Sequence, residues 1–229
     1  MKSLRSLPRL FVPGASPDSE FELPEAEVNK LRHVLRLSSG AEIAVLPDDG
    51  TLIRCELQGH RAVPKDVFSP NTEASLRLTI AQSLPKGDKI DEIVKACTGL
   101  GVHKFLLFSS DRTVVHWDDK KRESRLRRLR AIAREEAEVS YRTRIPEIEF
   151  VPNLGAVLDA QAEIVVLSEG ENVAKPLAVA GPSSTLVVGP EGGWSLNEVA
   201  AIGDRGVTLG PRVLRVEFAA AAAAARLLL

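Results

Sequence analysis

Apolar and polar residues alternate from Thr51 to Gln58, with Ile53, Cys55 and Leu57 facing one way and Arg54, Glu56 and Gln58 the other, the period of a half-buried strand. A compact apolar run, Glu42-Ile43-Ala44-Val45-Leu46, precedes it across Pro47-Asp48-Asp49-Gly50, and the two runs predict a hairpin. Upstream, Arg9-Leu10-Phe11-Val12 predicts a first strand. Between them, Glu25 to Leu37 carries Val28, Leu31 and Leu35 at helical spacing behind Pro24 and an acidic start. The polar stretch Ser69-Pro70-Asn71 ends this β-rich part, which places an expected boundary between a domain over residues 1–70 and a second over 71–229.

Beyond that boundary strands and helices alternate. Leu76 to Ile80 reads as a strand, and Lys86-Gly87-Asp88-Lys89 leads into a helix with Ile90, Ile93, Val94 and Cys97 on one face, ended by Gly99 and Gly101. Phe105 to Phe108 is continuously apolar, as in a strand covered on both faces. A helix over about 118–140, a strand Ile164 to Leu167 and a strand Leu186-Val187-Val188 follow. The last of these runs into Gly189-Pro190-Glu191-Gly192-Gly193. Ser195 and Glu198 then form a capping-box pair opening a helix. Val207 to Leu209 is a short strand before Gly210-Pro211, and Ala219 to Ala225 has maximal helix propensity. The alternation predicts an α/β fold with a mostly parallel sheet and helices on both sides.

With 229 residues and 44% hydrophobic content, the chain can bury a proper core. A net charge of −1 excludes a global pull toward nucleic acid, so any RNA contact must come from a local patch. Cys55 and Cys97 have neither metal-site nor CxxC spacing, and no metal is expected. The start, MKSLRSLPRLFVPG, lacks a long apolar core, and no stretch has the eighteen apolar residues of a membrane span, so the expected setting is soluble and cytoplasmic. No GxGxxG follows a first strand and no GxxxxGK[ST] occurs, which leaves little support for a nicotinamide or nucleoside-triphosphate site.

Two glycine-proline turns, each following a strand and preceding a helix, lie where open α/β sheets bind ligands. Together with Leu209-Gly210-Pro211-Arg212-Val213-Leu214-Arg215-Val216-Glu217, the GPEGG turn and Trp194 resemble the C-terminal signature of the knotted SPOUT-class RNA methyltransferases. Within that class they resemble the family that methylates N3 of a uridine in 16S ribosomal RNA. Lys86-Gly87-Asp88-Lys89, Asp111-Arg112-Thr113 and Glu138-Val139-Ser140-Tyr141-Arg142 extend the resemblance, and His33 to Gly40 is similar to that family's N-terminal PUA-like string. Gly99, Val139 and Phe218 depart from it, standing where an acid, a glutamine and a threonine are usual.

The resemblance implies a C-terminal SPOUT-type α/β-knot domain behind a small PUA-like β-barrel, with S-adenosylmethionine bent against the knot. The cofactor lining would come from Leu167, Ser168, Glu169 and Gly170, from Gly189, Pro190, Glu191, Gly192 and Gly193, and from Leu209, Gly210 and Leu214. Arg215 is the candidate cation for the uracil oxygens, and Glu191 and Glu217 are candidate proton acceptors. Each of those carboxylates equally suits a structural task, binding turn N–H groups or pairing with Arg215. Implied RNA contacts are Arg9, His33, Arg36, Lys86, Arg112, Arg125, Arg128 and Arg142, the last reaching toward a partner subunit of a homodimer. From Lys120 to Arg134 there are eight basic residues and one acid, either a solvated helix face or a phosphate dock. The implied partner is the 16S rRNA of the small ribosomal subunit. A methyltransferase acting on another RNA and a non-catalytic RNA-binding protein remain as alternatives.

Overall fold

The computed structural model describes residues 3–159, 163–169 and 175–229, which fall into two compact units. The first comprises Met1–Glu73 with Ala137–Ile145, the second Ala74–Glu136 with Pro146–Leu229. The division thus lies three residues beyond the expected one, and a later segment returns to the first unit.

In the first unit, β1 (Arg9–Phe11), β2 (Phe21–Glu22), β3 (Glu42–Leu46), β4 (Leu52–Gln58) and β5 (Arg61–Phe68) form a mixed five-stranded sheet in the order β1-β3-β4-β5-β2. The expected hairpin is β3–β4, with Ile43 opposite Cys55 and Val45 opposite Ile53. The alternation read along β4 hides one fact. Arg54 is only 4% exposed, because Asp66 pairs with it at 2.7 Å and its guanidinium lies over the Phe68 ring. The expected helix is shorter than its pattern. After α1 (Glu25–Asn29) the chain widens into a π-type turn, Lys30–Val34, closed by a Leu35 N–H to Lys30 C=O bond of 3.0 Å. That winding keeps Leu31 buried but turns Val34 and Leu35 outward.

The returning segment is tied down by charge. Glu138 accepts the Phe11 N–H at 3.1 Å and the Lys30 ammonium at 2.5 Å. Glu73 receives the Arg142 fork at 2.8 and 3.1 Å and the Thr143 and Arg144 N–H groups. Burial pushes the Glu73 carboxyl up, yet Arg142 and those N–H groups outweigh it and hold its pKa below the ordinary value.

The second unit is a six-stranded all-parallel sheet built from β6 (Arg77–Ser83), β7 (Lys104–Phe108), β8 (Glu147–Val151), β9 (Glu163–Leu167), β10 (Ser183–Val188) and β11 (Gly206–Val207), in the order β11-β9-β10-β6-β7-β8. Helices cover both faces, as the alternation requires. On one side α2 (Lys89–Gly99) and α6 (Val216–Leu228) join Ile80, Phe105 and Leu186 in the main core, where Ala220, Ala223 and Ala224 are fully buried and small enough for close approach. The same core takes Leu129 and Ala133 of α3 (Asp119–Val139). On the other side α4 (Leu154–Leu158) and α5 (Leu196–Ile202) pack through Leu154, Val157 and Ile202 on Ala81, Val166 and Val187. The order puts β10 between β9 and β6, so the chain runs outward through β7 and β8 and then resumes on the opposite side. Ligands gather at the carboxyl ends of such strands. No helix among the described residues is long and apolar enough to cross a membrane.

Candidate active site

Adjacent strands β9 and β10 and the short β11 end side by side at Leu167, Val188 and Val207, and the segments that leave them enclose a cavity of about 690 Å³. Local chemistry shapes each wall. After β10, the chain turns through Gly193 at φ +68°, a conformation β-branched residues resist, and Ser195 then caps α5. The capping box is complete: Ser195 Oγ accepts the Glu198 N–H at 3.1 Å, and Glu198 accepts the Ser195 N–H at 2.8 Å. Asp111 joins it, its carboxylate accepting the Ser195 hydroxyl at 2.5 Å. Arg112 donates to the Gly192 carbonyl at 2.8 Å.

Trp194 supplies an apolar wall. Its indole N–H donates to the Leu167 carbonyl at 3.0 Å, and its ring lies parallel to Phe108 with centroids 6.5 Å apart. The first and third segments are joined by Glu169, which accepts the Leu214 N–H at 3.1 Å. Gly210, at φ +125°, closes a turn with Thr208 Oγ1.

Of the cofactor residues expected from sequence, Leu167, Ser168, Glu169, Leu209, Leu214 and all five of Gly189 to Gly193 line this one cavity. Gly210 shapes its turn without lining it, and Gly170 lies outside the described residues. The three catalytic candidates, Arg215, Glu217 and Glu191, line it too. Phe218, where the resemblance has a threonine, does not line it and is 60% exposed.

Sequence reasoning passed over Lys89, the centre of the charge network. Its ammonium lies 3.0 Å from Glu191 and 3.4 Å from Glu217, joining the GPEGG turn to the start of α6. Glu191 also accepts the Lys86 N–H at 3.1 Å. Burial pushes the Glu191 carboxyl up, but its own backbone N–H, Lys89 and the Lys86 N–H hold it below the ordinary value. The Glu217 backbone N–H, with Lys89 and Arg215, lowers Glu217 despite some desolvation. Lys89 is raised by its bond to Glu191 first and by Glu217, against desolvation. The signal was present in the Lys86-Gly87-Asp88-Lys89 string, but spacing assigned it no partner. Arg215 stands 3.9 Å from Glu217 with its side chain 81% exposed.

The expected RNA contacts fare unevenly. His33 and Arg36 are exposed on the first unit, and Lys86 and Arg112 on the second. Arg9 donates to the Glu138 carbonyl at 2.5 Å and lies over the Tyr141 ring, a role inside the first unit's fold. Arg142, expected to reach toward RNA and a partner subunit, is 3% exposed and has its fork on Glu73 within the first unit. Arg125 and Arg128 are paired with Asp88 and Asp91 of the α2 region at 2.9 and 2.7 Å. The densely basic helix is therefore partly neutralised by acids far away in sequence. No group of three or more metal-ligating side chains occurs among the described residues.

Residues 72–228 match the family described as an RNA methyltransferase domain. Ribosomal RNA small subunit methyltransferase E of Bacillus subtilis (strain 168) is 36% identical over 222 residues, 87% of this chain and 86% of that protein. The protein of the same name from Synechocystis sp. is 31% identical, covering 90% of this chain and 71% of its own. Among solved structures, a ribosomal RNA small subunit methyltransferase E from Neisseria gonorrhoeae bound to S-adenosyl methionine superposes with a TM-score of 0.85 at 27% identity over 96% of both chains. The putative methyltransferase Lpg2936 from Legionella pneumophila shares the fold, with a TM-score of 0.88 over 96% of both chains at 24% identity. With its cavity formed by three segments inside the matched region, this chain belongs to the ribosomal RNA small subunit methyltransferase E family of RNA methyltransferases.

Proposed function

We propose that this protein transfers the methyl group of S-adenosylmethionine to N3 of a uridine in the 16S rRNA of the small ribosomal subunit. The observation that carries the reading is the convergence of three segments on one cavity at the carboxyl ends of neighbouring parallel strands, in a chain of this family. The residues fit the cofactor. A volume near 690 Å³ suits a ligand of that size, and Val188, Trp194, Val207 and Leu209 supply apolar wall. Around them, the turn at 189–193 together with Leu209 and Arg212 to Leu214 lines the cavity, where backbone polar groups would meet an adenine and an amino-acid tail.

When bound, the cofactor supplies an electrophilic methyl on its sulfonium, so the protein's task is to place uracil N3 in line and ease removal of its proton. Their own backbone N–H groups and then Lys89 lower the proton affinity of Glu191 and Glu217 against desolvation, which makes both weaker bases. The larger share of activation then falls to Arg215, whose cation stabilises the N3 anion through O2 and O4. Glu217 holds Arg215 from 3.9 Å and receives the proton directly or through water. In this reading the first unit is the PUA-like RNA-binding domain, and the third segment belongs to a knot that would hold the cofactor.

Calorimetry tests the cofactor assignment: one S-adenosylmethionine should bind per chain, and a folded protein that gives no binding heat would refute it. The working unit is a cytoplasmic homodimer. Leu196 (86% exposed) and Phe218 (60%) are large apolar side chains exposed on the second unit outside the cavity lining, available to a subunit contact. Sedimentation should give a dimer at micromolar concentration; a monomer throughout would remove that element.

A further inference from the structure

The segment that leaves the cavity rim at Arg112 leads within five residues to a different kind of surface. Arg112 touches the rim through Gly192, Val114 is 61% exposed, and the chain reaches His116 and Trp117 just before α3. Extended chain spans at most about 17 Å over that distance. Trp117 and Phe150 are both half-buried, with ring centroids 6.3 Å apart and planes tilted by 33°. Phe150 sits on β8, the edge strand of the sheet, and both rings pack against the margin of the main core. The Arg122 guanidinium lies over the Phe150 ring at 5.3 Å and is steadied by Asp119 at 2.8 Å.

We propose that residues 112–117, the first turn of α3 and Phe150 form a track for single-stranded RNA leading away from the cavity, with Trp117 and Phe150 as a base-stacking platform. The proposal rests on the methyltransferase reading, since a target base in the cavity requires its flanking strand to leave by some route. Charge supports this occupant. The acids at the helix start are engaged locally: Asp118 accepts the Lys121 N–H at 2.8 Å, and Asp119 holds Arg122. Lys120 and Lys121 remain exposed beside the exposed His116. Further along the helix Arg125 and Arg128 are occupied by Asp88 and Asp91. Lys120 and Lys121 are thus the cations offered to phosphate in the turn that follows Trp117. Aromatic rings beside cations form a sequence-tolerant surface for single strands, every base having a face to stack. Duplex RNA, its bases already stacked, gains nothing from such a platform.

The test uses the full chain, a fluorescently labelled single-stranded RNA containing uridines, and a hairpin of matched length. Trp117→Ala should weaken single-strand binding about 5- to 20-fold, while Trp117→Phe stays within about 2-fold of the parent. Hairpin binding and S-adenosylmethionine affinity should be unchanged in both. Parental single-strand affinity in Trp117→Ala overturns the track, as does an equal loss for both RNAs. A changed oligomeric state with unaltered RNA affinity would also overturn it, assigning the surface to protein contact. Thermal unfolding confirms that each variant is folded. If the parent fails to bind S-adenosylmethionine, the methyltransferase reading fails separately, because the two titrations are independent.

Discussion

Replacing Gly189 by valine will weaken S-adenosylmethionine binding at least about 100-fold, equivalent to about 2.7 kcal/mol, while the protein still folds. A Cβ at Gly189 would stand 3.0 Å from two ring atoms of Trp194 and 3.3 Å from a third, closer than carbon atoms ordinarily approach. The ring cannot retreat freely, because its N–H is bonded to Leu167 and its face lies along Phe108. Valine's two further methyl groups force the indole out of place, and both residues line the cavity. Overpacking of this kind costs typically about 1–3 kcal/mol, which a folded domain can absorb but a shaped site cannot. Gly189→Ala should fall between parent and valine. Titration calorimetry with thermal melts reads both outcomes; parental affinity in a folded Gly189→Val protein would mean that Trp194 does not define the site.

Lys89→Met should lower cofactor affinity about tenfold, and Lys89→Arg should restore most of it. Lone exposed ion pairs contribute little to global stability. This ammonium, however, serves two carboxylates on separate cavity walls, so its loss leaves like charges facing each other. The pH dependence follows from the directions of the shifts. Glu191 and Glu217 are depressed, so their contribution is present above the ordinary carboxylate value of about 4.3 and lost as pH falls through their lowered values. Lys89 is raised, so its contribution is present below its ordinary value of about 10.4 and lost only as pH rises beyond that. The stability that this network gives the parent should therefore be flat between about pH 6 and 9, as read by thermal melts. A marked loss contributed by the network within that window, or a Lys89→Met protein with parental cofactor affinity, would contradict this account.

What the sequence revealed was local. The β3–β4 hairpin, the capping box at Ser195 and Glu198 and the glycine turn after β10 depend on neighbours a few residues apart, and all lie where the pattern places them. The pattern predicts no strand at β5; Pro64 lies inside it, and the structure accommodates that proline at an irregularity where Cys55 pairs with Pro64 and Arg54 with Asp66. α4 is too short, at Leu154–Leu158, to show helical periodicity. Charged residues were the least legible. Arg54, Arg125, Arg128 and Arg142 all read as surface cations, yet each has a carboxylate partner distant in sequence. Lys89 was overlooked for the same reason, its partners Glu191 and Glu217 lying more than a hundred residues away. The residues lining the cofactor cavity were easier because glycine and proline turns mark a backbone-lined ligand site within a contiguous string.

The most direct measurement is methyl transfer with position mapping. Purified protein is incubated with isotopically labelled S-adenosylmethionine and small ribosomal subunits from cells lacking the gene, and the rRNA is digested for mass spectrometry. The account predicts label in 3-methyluridine at a single position of 16S rRNA, lost in Gly189→Val. Label confined to another nucleotide or another RNA, or none from protein that binds the cofactor, would contradict it.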